Sequence, residues 1–251
     1  MADYIISSGV TSAGLVLTNI ETATVLSGGL LISATTDRNT AVICSGGTAK
    51  ATVVKAGGKL IVSAGVASDT FIEPNGSVTV LSGASAVNTT VEYLGQLFVA
   101  NGGTATSTTV SKGGTAQAEG TLNIATINNG CVRLCNSGAA TSVTTVNGGS
   151  IDIKSGATAN GITFRYAMSK CRGIAHLNVN GGGVASNTVI NGDNGDIKFT
   201  DARDTNAGPQ MFVRSAGSAV KLTVSKGGPV RVESGATLTS ASTGEGGEIW
   251  S

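Results

Sequence analysis

The sequence predicts an all-β fold, a single-stack parallel β-solenoid of about 19 residues per turn and roughly 12 turns. Three observations predict it. Short glycine-led apolar strands recur at a nearly constant spacing. Within each strand the apolar residues alternate with period two, as in a strand with one buried face. The composition suits a narrow interior: 37 Gly, 32 Thr and 26 Ser stand among 251 residues, with 4% aromatic and 12% charged residues. Aromatics normally supply much of the buried area of an enzyme core. A 40% apolar fraction argues against a disordered chain, and the absence of a three-residue glycine period excludes collagen.

Two half-motifs build the turn. The first is Gly-x-Φ-x-Φ, with Φ apolar: GKLIV (58–62), GSVTV (76–80), GQLFV (95–99), GCVRL (130–134), GSIDI (149–153), GDIKF (195–199) and GPVRV (228–232), with a smaller copy in GTAQA (114–118). Alternation turns Leu60, Val62, Val78, Val80, Leu97, Val99, Val132, Leu134, Ile151 and Ile153 inward. It turns Lys59, Ile61, Thr79, Gln96, Phe98, Arg133 and Asp152 outward. The second half-motif is Gly-x-Ala-x-x-Thr-x-Val/Ile, as in GTAKATVV (47–54), GVASDTFI (65–72), GTATSTTV (103–110) and GVASNTVI (183–190). Its inner columns are Ala49, Ala67, Ala105, Ala185 and Val54, Ile72, Val110, Ile190. The three-residue step from Ala to Thr breaks the alternation and places a corner or bulge between them. Thr52, Thr70, Thr108 and Thr188 recur at this corner. Were they outward, they would form the flat array that suits ice binding, but the charged neighbours Lys59 and Arg133 oppose that reading.

One turn cannot bury its own apolar face, so the whole chain, 1–251, is expected to form one domain of stacked turns. Two segments break the period, near 165–175 and near 200–215, and are expected to leave the stack as loops. The last segment, TGEGGEIWS (243–251), is expected to fold over the final turn or to pack on a second copy.

The pattern V-x-S-G-G-x-A-x-x-T-x-V-x-x-G-G-x-L-x-V is visible in VICSGGTAKATVVKAGGKLIV (42–62), VTVLSGASAVNTTVEYLGQLFV (78–99) and LFVANGGTATSTTVSKGGTAQA (97–118). It resembles the passenger repeats of the AIDA-type self-associating autotransporter adhesins. The resemblance implies a right-handed parallel β-helix, displayed outside the cell or on its surface, that acts in adhesion and self-association. Its implied partners are other copies of itself or a host or bacterial surface glycan or protein. It also implies heptosylation by a dedicated glycosyltransferase. On that reading the corner serines that precede a repeat glycine, Ser27, Ser45, Ser82, Ser137, Ser155 and Ser234, are the glycan acceptors. Their simpler role is turn chemistry.

The remaining candidates lie in the insertions. Arg165, Lys170, Arg172 and Arg203 could meet an acidic glycan or partner. Asp193, Asp196, Asp201 and Asp204 are weak candidates for a metal or for a carboxylate pair, and a solvated ion-pair cluster is the commoner outcome. They support the alternative reading, a carbohydrate-active β-helix enzyme or a polysaccharide-binding tail-type protein. Most of the chain is plain repeat, so no catalytic residue, no cofactor and no enzymatic activity is expected. Cys44, Cys131, Cys135 and Cys171 contain no CxxC pair, and with His176 the only histidine they lack the partners of a zinc site. A net charge of +1 gives no field to attract nucleic acid. The start, Met1-Ala2-Asp3-Tyr4, has neither a basic nor an apolar signal region, and no apolar run reaches the length of a membrane helix.

Overall fold

The computed structural model describes residues 3–18, 21–146, 148–166, 175–192, 210–225, 229–244 and 247–251. The described residues contain no helix, and the chain stacks parallel strands into about 11 turns of ~19 residues, one fewer than expected. The contacts divide it into two compact units, residues 1–123 and 124–251.

In the first unit one sheet is laid down by Asp3–Ile6, Thr22–Val25, Thr40–Ile43, Lys59–Val62, Ser77–Val80, Gln96–Val99 and Thr115–Ala118, each parallel to the next. The register is that of the repeat: Leu60 pairs with Val78 and Val78 with Leu97. These residues, with Val62, Val80 and Val99, are at most 1% exposed. Full burial of such a side chain stabilises by about 1.5–3 kcal/mol, which is what holds one turn upon another. Lys59 and Gln96 are exposed, whereas Ile61, Thr79 and Phe98 on the same outer face are half-buried between their strand neighbours.

The second sheet of each turn has two limbs. Thr48–Lys50, Val66–Ser68 and Ser85–Val87 stack as the first limb, and Val53–Val54, Phe71–Ile72 and Thr90–Val91 as the second. Between them one residue per turn adopts positive φ: Gly14, Ser33, Ala51, Asp69, Asn88 and Ser107. This is the corner expected between Ala and Thr, and no glycine marks it in five of those six turns. Its N–H groups reach forward along the stack, Ala51 to the Ser68 carbonyl at 2.9 Å and Asn88 to that of Thr106 at 2.9 Å, so the backbone stays satisfied around the bend. Asn88 also donates through Nδ2 to the Asp69 carboxylate below it, at 2.7 Å.

This hinge rules out an outward threonine array. The left-handed residue takes up one position without moving the chain to the other face, so the residue after it points inward again. Thr52, Thr70, Thr89, Thr108 and Thr188 are buried, and their Oγ1 atoms have no hydrogen-bond partner. Thr89 belongs to this column, since Thr90 N–H donates to the Thr70 carbonyl and Thr109 N–H to that of Thr89.

In the second unit the corresponding strands are Cys131–Leu134, Gly149–Ile153, Ala175–Val179, Gln210–Val213, Pro229–Val232 and Glu248–Trp250. Ile151 pairs with Leu177, and Leu177 with Met211. The ladder therefore closes directly across both insertions. Regular structure reaches further into them than the sequence suggested: Thr163–Tyr166 is a strand, and Gln210–Val213 is followed by a tight turn at Ser215 and Ala216. Next to Ala175–Val179 stands Gln210–Val213, whose Met211 and Val213 are fully buried; the half-motif GDIKF lies outside the described residues. Glu248–Trp250 continues the ladder, with Ile249 opposite Val230. It does not fold across the last turn, because Ile249 falls into line with the inner column. Arg133 and Asp152, expected to be exposed, are half-buried, since neighbouring strands cover their flanks.

Candidate functional site

A turn whose inner columns are sealed can meet a partner only through its corners and outer faces. At the corner after each first-sheet strand the chain makes a four-residue turn. Gly29 N–H bonds the Leu26 carbonyl at 2.9 Å, Gly47 that of Cys44 at 2.9 Å and Ala157 that of Lys154 at 3.1 Å. Ser27, Ser45, Ser82, Ser155 and Ser234 occupy the second position of such turns and are exposed. The glycine that follows each has φ between 71° and 80°, the conformation that favours glycine at the third position of a type II turn.

That glycine is needed for a second reason. A Cβ on Gly46 would lie 2.6 Å from Ser27 Oγ, one on Gly102 2.5 Å from Ser82 Oγ and one on Gly182 2.7 Å from Ser155 Oγ. Each serine hydroxyl thus leans along the stack onto the glycine of the next turn. Ser137 differs. Its turn is closed from Gly138 N–H to the Cys135 carbonyl, and positive φ falls on Asn136. Ser137 is exposed at the third position of its turn, not the second.

The outer faces of the first sheet differ between the units. In the first unit one column reads Ile5, Thr24, Val42, Ile61, Thr79, Phe98, Gln117. In the second it reads Arg133, Asp152, Asn178, Phe212, Arg231, Trp250. There Asn178 donates to the Asp152 carboxylate at 2.8 Å. The Arg214 guanidinium stands 4.9 Å above the Phe212 ring and pairs with Glu233. His176 lies 6.3 Å from Phe212, ring to ring. Burial holds the His176 imidazole below its ordinary range, and the Asp152 charge pulls partly the other way. Nothing in the sequence marks this cluster, because its members come from four separate strands and turns and meet only through the register across the insertions.

Of the other sequence candidates, Arg165 is placed in the strand Thr163–Tyr166, opposite Asn191. Lys170, Arg172, Arg203, Asp193, Asp196, Asp201, Asp204 and Cys171 lie outside the described residues. Among the described residues no three His, Cys, Asp or Glu side chains are grouped to hold a metal, and Cys44, Cys131 and Cys135 are free thiols. No helix among the described residues is long and apolar enough to cross a membrane.

Residues 59–114 match the family model described as "Adhesin of bacterial autotransporter system, probable stalk". No curated protein matches the chain. Among solved structures the chain is similar to one titled "Crystal structure of TibC-catalyzed hyper-glycosylated TibA55-350 fragment". The identity is 24% and the TM-score 0.69, over 99% of this chain and 91% of that one. The match lies on turns whose inner columns, glycine corners and parallel register have just been described. Over residues 59–114 the chain is thus similar to the stalk repeats of autotransporter adhesins.

Proposed function

We propose that the chain is a surface-displayed, non-enzymatic adhesive β-helix that mediates cell adhesion or self-association. The observation that carries this reading is the match of residues 59–114 to an adhesin stalk, on turns whose interior is closed and whose outer columns alone can meet a partner. Binding is spread over many repeats, through the outer residues of the sheets. Its place is outside the cell or on the cell surface, and its partners are further copies or a surface glycan or protein.

The exposed corner serines Ser27, Ser45, Ser82, Ser137, Ser155 and Ser234 are proposed as acceptors of heptose from a dedicated glycosyltransferase. Their exposure supports this, as does the printed description of the similar fragment as hyper-glycosylated. On Ser27, Ser82 and Ser155 the hydroxyl must first rotate away from the glycine above it. Mass spectrometry of the chain co-expressed with a heptosyltransferase should find sugar on these serines; modification elsewhere with all six bare would remove the assignment.

Display on cells that do not otherwise clump tests the adhesive reading. Lys59→Glu, at an exposed position, with Arg133→Glu, at a half-buried one, should alter clumping and its salt dependence, since charges that reach the surface are screened within about 10 Å at moderate salt. Asp201→Asn with Asp204→Asn should leave clumping unchanged. Polysaccharide turnover by the unmutated chain, lost in that second variant, would replace the adhesive reading by the enzymatic one.

A further inference from the structure

In the first unit, at the corner where the second limb turns into the first sheet, three successive turns place Gly57, Asn75 and Leu94 at the same position. The Gly57 N–H donates to the Asn75 carbonyl at 3.0 Å, and Asn75 and Leu94 have φ of 63° and 56°. Because Gly57 has no side chain while Asn75 and Leu94 do, the corner is notched. Just beyond it Lys59, Ser77 and Gln96 stand in register, one per turn, on the outer face. These side chains and the corner glycines line a cavity of about 200 Å³. Pockets for drug-sized ligands begin at roughly 300 Å³, so this one is sized for a single small ring.

We propose that this notch binds one carboxylate-bearing sugar residue of a surface glycan. Asn75 and Gln96 each present a donor and an acceptor, and the Ser77 hydroxyl does the same. That combination serves adjacent sugar hydroxyls, which both give and take hydrogen bonds. The Lys59 ammonium is exposed, and no carboxylate lines the cavity, so the charged corner favours an anion. Lys59 is the cation among the residues that line the cavity, and a lysine ammonium suits a carboxylate held at one point. Leu94, 47% exposed, offers an apolar wall for the C–H face of the ring. The notch is lined by residues of three successive turns, so a glycan chain seated in it would run along the stack. The proposal takes its purpose from the adhesive reading, but binding in solution is measured apart from clumping.

The test is an amide-resolved NMR titration of the full chain with a galacturonic acid trimer, with the galactose trimer and with acetate alone. The acidic trimer should shift the backbone signals of Lys59, Asn75, Ser77 and Gln96, and the neutral trimer should bind about fivefold more weakly, the worth of one exposed ion pair. Lys59→Ala should abolish that preference, and Asn75→Gly, which keeps the positive φ, should weaken both trimers. Lys50→Ala, an exposed lysine on the other sheet, should change neither. Unmoved signals at these four residues, shifts reproduced by acetate alone, or unaltered binding in Lys59→Ala would each overturn the proposal. A chain that clumps cells while the notch stays silent overturns this site and leaves the adhesive reading standing; a notch that binds in a chain that does not clump does the reverse.

Discussion

In the first unit the outward column beside the core runs Thr24, Val42, Ile61, Thr79, Phe98; in the second unit the same position runs Arg133, Asp152, Asn178, Phe212, Arg231, Trp250. Their inward neighbours are alike, alanine, valine, leucine, isoleucine and methionine, closed to solvent except at the last two strands, where Val232 and Ile249 are half-buried. Stacking like upon like constrains the inside of a turn and leaves the outside free to vary. The column after the hinge shows the same freedom within limits of size. In the first unit it holds Thr52, Thr70, Thr89 and Thr108, and in the second Val143, Ile162, Thr188 and Leu222, all buried. Ala34 and Ala125 stand in the same column and are buried too, so the interior excludes water at that position, accepts side chains from alanine to leucine, and tolerates a hydroxyl.

The contrast between inside and outside is broken most directly by a charge. Val80→Asp puts an unpaired carboxylate into a sealed apolar column and should destabilise by several kcal/mol, whereas Thr79→Asp, one residue away on the outer face, should stay within about 0.5 kcal/mol. Equal losses in thermal melts of the two variants would sink the face assignment. The hydroxyl column sharpens the comparison. Thr70→Val makes the first unit resemble the second at Val143, removes a buried hydroxyl without a partner, and should stabilise by about 1–2 kcal/mol. Denaturant midpoints lower than those of the unmutated chain would show that the hydroxyl is satisfied.

A smaller gain is expected at the hinge of the second unit. Ile124 is β-branched, 57% exposed and held at φ 51°, a conformation that Asn tolerates better. Ile124→Asn should stabilise by about 1 kcal/mol; the same change at the corner serine Ser155, whose φ is not positive, should not.

The least effect belongs to His176. Its folded affinity for a proton is lowered by burial, so the unfolded chain takes up the proton first as the pH falls. Stability should therefore decline as pH drops through about 6.5, reach its full loss below the folded value, and be regained on raising the pH. His176→Gln should flatten that dependence; an unaltered pH profile would assign it to other groups.

These sites also show what the sequence made legible. Leu60, Val78 and Leu97 were readable because period two is a local property of four residues. The facing of the threonine column is not legible, because the hinge at Ala51 carries no glycine, and a left-handed alanine looks like any other alanine in a sequence. QMFV at 210–213 lacks the leading glycine of the repeat, so only the alternation of Met211 and Val213 marks it as a strand. Ser137 shares with the other corner serines only its following glycine, while the turn type depends on Asn136. The Phe212, Arg214 and His176 cluster could not be seen, since its assembly depends on which strands follow one another across two insertions.

The direct pairing of Gly149–Ile153 with Ala175–Val179 has a consequence for how such a chain can change. Between these rungs the chain completes its turn through Thr158–Asn160 and Thr163–Tyr166, so a connection need only carry it from Tyr166 to Ala175, where the next rung begins. The entropy of closing such an excursion grows with the logarithm of its length, about 0.6 kcal/mol for each doubling. Residues 167–174 can therefore be exchanged for longer or foreign segments with little loss of stability, which makes this position a natural site for evolutionary variation and for grafting an epitope.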